Sequence, residues 1–335
     1  MLPRISIITP SYQQAPYLEA CLASVREQGY SNLEHIVVDG GSSDGSKEIL
    51  ERNSAALAWW CSEQDRGQSH AINKGATHAT GTVFAWLNSD DLLLPGTLHR
   101  VGEAFAKDPT MTVFCGARVV RSVNGDRVLP AEDVSRPEGL FTEPMVNQQA
   151  TFYRMDVVRK AGFVDEALHY VMDLELWLRV LFAEGTGGLR STAEPLAVFR
   201  EHATSKTSLE QTRFVHETAG LLHGLCLATG QADLASVLAI GHRWPGTMRG
   251  ISLLDPTQHS ARVRAMVLAF LFKWHHRIWS EADLRMMKAF RSRIALTDEE
   301  LHGERRTKLA ELDEQLAVPG WWAFRLRRKW QHLWA

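Results

Sequence analysis

Asn88-Ser89-Asp90-Asp91 stands where the apolar run Thr82 to Leu87 ends, so two adjacent carboxylates fall at the tip of what reads as a buried strand. Hard oxygen donors placed this way suit Mg2+ or Mn2+, which hold substrate phosphates through one or two carboxylates. Adjacent acids in a loop also serve as turn formers or helix caps, and spacing alone does not separate the two readings. Three earlier runs end in polar clusters as well: Ile5 to Ile8 in Thr9-Pro10-Ser11, His35 to Val38 in Asp39-Gly40-Gly41, and Ala58 to Cys61 in Glu63-Gln64-Asp65-Arg66. The carboxyl ends of parallel strands in an open α/β sheet form one rim at which ligands bind. Four clusters distant in sequence are therefore expected at one mouth.

The elements that must position them alternate. Pro16 to Gln28 reads as a helix with Leu18, Cys21, Leu22 and Val25 on one face and Gly29 as its stop. Further helices are expected from Ser46, over Gln68 to His78, and over Gly96 to Lys107. Such βαβ alternation predicts an α/β fold with a mainly parallel central sheet. After Met111 strands are expected at Met111 to Val120, Gln149 to Arg154 and Leu196 to Phe199, with helices at Met155 to Ala161 and Asp173 to Ala183. Beyond about Ser208 the texture is helical.

A chain of 335 residues, 45% hydrophobic and 23% charged, is ordinary for a globular protein with a sizeable core. Its net charge of -2 gives no sign of a nucleic-acid partner. The cysteines, Cys21, Cys61, Cys115 and Cys226, lack the close pairs of zinc ribbons or disulfide frameworks, so a reduced, cytoplasmic setting is expected. Met1-Leu2-Pro3-Arg4 leads straight into a strand, so no signal peptide is expected. No apolar stretch reaches the roughly 20 residues that span a bilayer. The segment 321–335 sets Trp321, Trp322, Phe324, Trp330 and Trp334 among Arg325, Arg327, Arg328 and Lys329. It suits either a helix at an anionic membrane surface or one docked on the protein.

The turn Asp39 to Gly45 can bring backbone amides to a ligand while Asp39 accepts from ribose or base, though a plain tight turn reads equally well. It lacks the Gly-Lys-Ser/Thr ending of a P-loop. Arg66 and Lys74 could meet phosphate, but single cations are more often solvated.

Together these motifs resemble the family 2 glycosyltransferases, inverting enzymes with the GT-A fold, from about residue 4 to 205. Ile7-Ile8-Thr9-Pro10-Ser11-Tyr12 is similar to that family's first strand, Val37 to Gly45 to its second and Glu63 to Gly75 to its third, and Leu87 to Asp91 occupies the place of its acidic motif. The resemblance implies a GT-A-type nucleotide-binding domain over 1–205, with a nucleotide-sugar half 1–95 and an acceptor half 96–205, followed by a helical region 206–335. It implies that Thr9, Pro10, Ser11, Asp39, Asp65, Arg66, Lys74, Asn88 and Ser89 contact the donor, and that Asp90 and Asp91, with His202 as a candidate, hold a divalent cation. Asp173 matches the family's catalytic base, although an N-cap role suits it as well. Gln148, Gln149 and, less strongly, Glu175 are candidates for the acceptor. The chain departs from the pattern at Asn88 and His70, where the family often has Asp, and at Met172, where it has Glu.

The expected activity is metal-dependent transfer of a sugar, from a UDP-sugar in the first instance, to a saccharide or lipid-linked acceptor in surface-polysaccharide assembly, at the cytoplasmic face of the inner membrane. A nucleotidyltransferase would need a basic glycine loop after the first strand, which Thr9-Pro10-Ser11-Tyr12 does not supply. A silent nucleotide-sugar binding scaffold is the third reading.

Overall fold

The computed structural model describes residues 1–203, 205–242, 254–274 and 278–331. They form two compact units, Met1–Leu140 with Pro144–Gln211, and Phe141–Glu143 with Thr212–Ala335.

The first unit opens as β1 (Ile5–Ser11), α1 (Ala15–Arg26), β2 (Leu33–Asp39), α2 (Ser46–Asn53), β3 (Trp59–Ser62), α3 (Gln68–His78) and β4 (Val83–Trp86). It continues through β5 (Leu92–Leu93), α4 (Thr97–Lys107), β6 (Val113–Ser122), β7 (Gly125–Leu129) and α5 (Gly139–Thr142), whose last two residues count with the second unit. β8 (Thr151–Arg154), α6 (Met155–Ala161), α7 (Met172–Glu184), β9 (Leu189–Arg200) and α8 (Lys206–Leu209) complete it. One sheet runs β3-β2-β1-β4-β8-β6-β9-β5, with β7 hairpinned onto β6. β1 to β4 are mutually parallel, β6 and β9 form a second long parallel ladder, and the short β5 and β8 join antiparallel.

β1 is buried along its whole length because helices cover both faces of the sheet. Ile5 and Ile7 pack with Cys21 and Val25 of α1 and with Leu98, Val101 and Phe105 of α4. On the opposite face α3 lies so close that a Cβ on Gly75 would stand 2.7 Å from Ile8 Cγ2. Gly75 therefore sets the distance at which α3 rides over β1. Gln148 and Gln149, expected in a strand, occupy a 3-10 turn over Gln148–Ala150 that precedes β8. Its Gln148 side chain turns inward and donates to Trp86 O at 2.6 Å.

The second unit holds α9 (Gln211–Ala228), α10 (Ala232–Leu238), α11 (Pro256–Trp274), α12 (Glu281–Arg293), α13 (Arg305–Leu316) and α14 (Trp321–Gln331). No described helix is long and apolar enough to cross a membrane. Along α14, Phe324 is buried whereas Trp322 and Leu326 are exposed, and Arg325 lies over the Trp322 ring. Residues 332–335, including Trp334, lie outside the described residues, as does the Trp330 side chain.

Glu175 does not fit the acceptor role expected of it. Its carboxylate accepts from Arg179 Nε at 2.8 Å and Nη2 at 2.5 Å, one turn along α7, and the two side chains are 0% and 5% exposed. Arg179 also donates to Ala161 O and to Phe163 O. The pair ties α7 to the end of α6 inside the core.

Glu175→Leu strands the Arg179 charge and should destabilise the unit by about 3–5 kcal/mol. A urea midpoint unchanged from wild type would show the pair to be idle. His35, buried against Thr9 Oγ1 at 3.0 Å, is kept neutral by burial, its pKa brought down to about 3. As pH falls below about 6.5 the unfolded chain takes up a proton that the folded one refuses, so this residue removes about 1.4 kcal/mol per pH unit. His35→Gln should accordingly flatten the fall of the urea midpoint between about pH 6 and pH 4; equal slopes in the two proteins would sink the assignment.

Candidate active site at the carboxyl rim of the sheet

β1, β2 and β3 end side by side, with Ser11 opposite Asp39 and Asp39 opposite Ser62. Asp39 is fully buried and its oxygens are engaged within the rim. Oδ1 accepts from Ser42 Oγ at 2.6 Å, and Oδ2 accepts from Ser42 N at 2.9 Å, Gly41 N at 3.2 Å and Ser62 Oγ at 2.7 Å. Asp39 thereby shapes the glycine-rich turn. Asp65 packs against it so tightly that a Cβ on Gly40 would lie 2.9 Å from Asp65 Oδ2, and Asp65 Oδ1 accepts from Gly67 N at 2.7 Å ahead of α3. Thr9, Pro10 and Ser11 are buried at the same rim, and Ser11 Oγ has no hydrogen-bond partner. Arg66, largely exposed, pairs with Glu166 at 2.5 Å, and Lys74 pairs with Glu63.

β4 runs parallel to β1, so the acidic loop opens on the same rim. Its turn is closed by Asp91 N donating to Asn88 O at 2.9 Å. Asp91 is wholly buried; Oδ1 accepts from Arg200 N at 3.1 Å, while Oδ2 has no hydrogen-bond partner. Burial first, and then the charge of Asp90, push the Asp91 carboxyl up to about 8, with the Gln149 amide opposing them. Asp90 Oδ2 lies 3.1 Å from His202 Nε2, and the His202 ring stacks on Tyr17 at 4.3 Å. Arg200 clamps the loop from β9, donating to Asp90 O, to Ser89 O at 3.4 Å and to Tyr17 O at 3.0 Å. An unpartnered buried carboxylate oxygen, a second carboxylate beside it and an imidazole are donor types that a divalent cation takes.

Asp173 sits in the first turn of α7, where Leu174 N donates to its Oδ1 at 2.9 Å. The largely buried Arg118 of β6 feels the charges of both Asp91 and Asp173, which work against the lowering of its proton affinity by burial. The charges of both carboxylates therefore reach one guanidinium. Arg118 also donates to Gln149 Oε1 at 3.1 Å and lies over the Phe199 ring. Sequence reasoning gave no role to Arg118 or Arg200, nor to Gln68 and Lys206, which donate in series, Lys206 Nζ to Gln68 Oε1 at 3.0 Å and Gln68 Nε2 to Asn88 Oδ1 at 2.7 Å. The available signal for Arg118 was a cation inside the apolar strand Val113 to Val120.

The sequence matches the family model described as Glycosyl transferase family 2 over residues 6–161. An uncharacterized glycosyltransferase of Mycobacterium tuberculosis is 33% identical over 211 residues, covering 59% of this chain and 80% of the relative. The uncharacterized glycosyltransferase EpsJ of Bacillus subtilis is 26% identical over 226 residues, covering 62% of this chain and 64% of EpsJ. Among solved structures, S. aureus TarS 1-349 in complex with UDP-GlcNAc superposes with a TM-score of 0.59 at 16% identity, over 93% of this chain and 90% of that one. Family match, relatives and fold agree on one conclusion: the chain belongs to glycosyl transferase family 2 and is a glycosyltransferase of the GT-A fold with a helical C-terminal region.

Proposed function

We propose that the protein is an inverting, cation-dependent hexosyltransferase that moves a sugar from a UDP-sugar to a saccharide or lipid-linked saccharide in surface-polysaccharide assembly. The observation that carries this reading is the pair of carboxylate sites around Arg118, one with a buried, unpartnered oxygen at Asp91 and the other at the head of α7. The uridine assignment is supported by the fold neighbour TarS, which was solved with UDP-GlcNAc and with UDP.

In this reading Thr9, Pro10, Ser11, Asp39 and Asp65 form the nucleoside wall, with Arg66 and Lys74 at its edge and Asn88 and Ser89 near the diphosphate. Asp90, Asp91 and His202 would hold the cation, which when bound supplies positive charge against the departing diphosphate. Asp173 accepts the proton of an acceptor hydroxyl as that hydroxyl attacks the anomeric carbon from the face opposite the diphosphate, giving inversion. Gln148 and Gln149 bound the acceptor side and orient Asn88 and Arg118 through their amides. The workplace in this reading is the cytoplasm at the inner face of the membrane, a placement supported by Trp322 and Leu326 standing exposed on α14 beside Arg325.

Asp173→Asn should lower transfer by about 10²–10⁴-fold, the span of a lost general base, while calorimetry still detects UDP binding. Retained transfer would remove Asp173 from the chemistry. A panel of nucleotide sugars assayed with Mn2+ and with chelator tests the rest: turnover of only dTDP- or GDP-sugars would overturn the uridine assignment, and turnover indifferent to chelator the cation dependence.

A further inference from the structure

The C-terminal helices bring together three side chains for which sugar transfer has no use. His216 belongs to α9, His242 lies just past α10, and Asp283 is in the first turn of α12. His242 Nε2 is 3.1 Å and His216 Nε2 3.5 Å from the same oxygen, Asp283 Oδ1. All three ligand atoms lie within 4.8 Å of one another, the one such group of His, Cys and acidic side chains among the described residues. The second carboxylate oxygen is already held: Oδ2 accepts from Trp279 N at 3.0 Å, Ser280 N at 2.8 Å and Ser280 Oγ at 2.9 Å in a capping box. Asp283 is thus locked in one orientation with Oδ1 turned to the imidazoles, the outer-shell support that ordered metal ligands typically have.

Hydrogen bonding alone leaves this cluster incomplete. His242 can bond Asp283, but His216 Nε2 is buried with no hydrogen-bond partner. A tetrahedral zinc shell explains both separations, since ligands about 2.0–2.1 Å from the ion stand about 3.3–3.4 Å from each other. A cavity of ≈ 20 Å³ bordered by His242 and Asp283, and otherwise by apolar side chains such as Phe270 and Met287, has room for one water.

We propose that His216, His242 and Asp283 form a zinc site, with water as the fourth ligand, that staples α9, the end of α10 and α12 within the C-terminal unit. Two imidazoles with one carboxylate suit zinc better than magnesium or calcium, which favour all-oxygen shells. Its role is structural.

The test uses the untagged full chain, stripped with chelator and dialysed against Zn2+ in the presence of excess Mg2+. One zinc per chain is expected, also in Asp91→Asn, together with a zinc-dependent rise in melting temperature. His216→Gln and His242→Gln should each weaken zinc binding by more than the about 10–100-fold caused by loss of an outer-shell partner, and Ser280→Ala by about that factor. Co2+ as a probe should give the intense visible bands of a four-coordinate site in the wild-type chain, a readout that does not depend on any variant folding. Absence of these bands, or zinc affinity unchanged in variants that fold, would overturn the proposal and leave an ion-paired His-Asp cluster.

Discussion

The burial of Asp91 is the constraint to which the catalytic unit answers. A carboxylate taken wholly out of water at the end of a buried strand is unfavourable unless its oxygens are matched. Here Oδ1 is matched by the backbone of Arg200 and the Gln149 amide also favours the charged form, while Oδ2 has no hydrogen-bond partner. The Arg200 bond fixes where β9 must end relative to β4, and the Arg200 side chain then spends its donors on three carbonyls of α1 and the acidic loop. The loop is held from outside because its own residues cannot satisfy it.

That constraint extends to Arg118. A guanidinium inside a sheet is expensive to desolvate, and the charges of two carboxylates make its charged form tolerable. Removing negative charge at either Asp91 or Asp173 alters the field felt at the other through this one side chain. The acidic loop and the head of α7 are far apart in sequence, yet the charges of both reach Arg118.

β1 to β4 were legible because each carries an apolar run that stops at a polar cluster, and α1 shows its buried face directly in Leu18, Cys21, Leu22 and Val25, whereas the polar first half of β9, Leu189 to Glu194, carries no such signal. The rim that these strands build could be read off for the same reason. What could not be read were partners. Asp39 looks like a ligand-binding acid, yet its hydrogen bonds to Ser42 and Ser62 make it first of all the organiser of a turn. Glu175 resembles a free helix-face acid until Arg179 is seen folded over it. The two glutamines before β8 read as strand because Thr151 to Arg154 is one, and only the bond from Gln148 to Trp86 O reveals the turn. Side-chain partners chosen across the fold leave no periodic trace.

Asn88, where the family often carries Asp, follows from the same logic. Its side chain accepts from Gln68 Nε2 at 2.7 Å and donates to Gln148 Oε1 at 3.3 Å, so it is read from both sides at once. A carboxylate has no proton to give. It would face Gln148 Oε1 with a second acceptor, and turning the Gln148 amide over to relieve this would take Nε2 away from Trp86 O, a 2.6 Å bond in the buried interior. The series Lys206, Gln68, Asn88, Gln148, Trp86 O runs donor to acceptor throughout only with an amide in its middle. In place of a negative charge, Asn88 supplies a polar link between Gln68 of α3 and Gln148 ahead of β8.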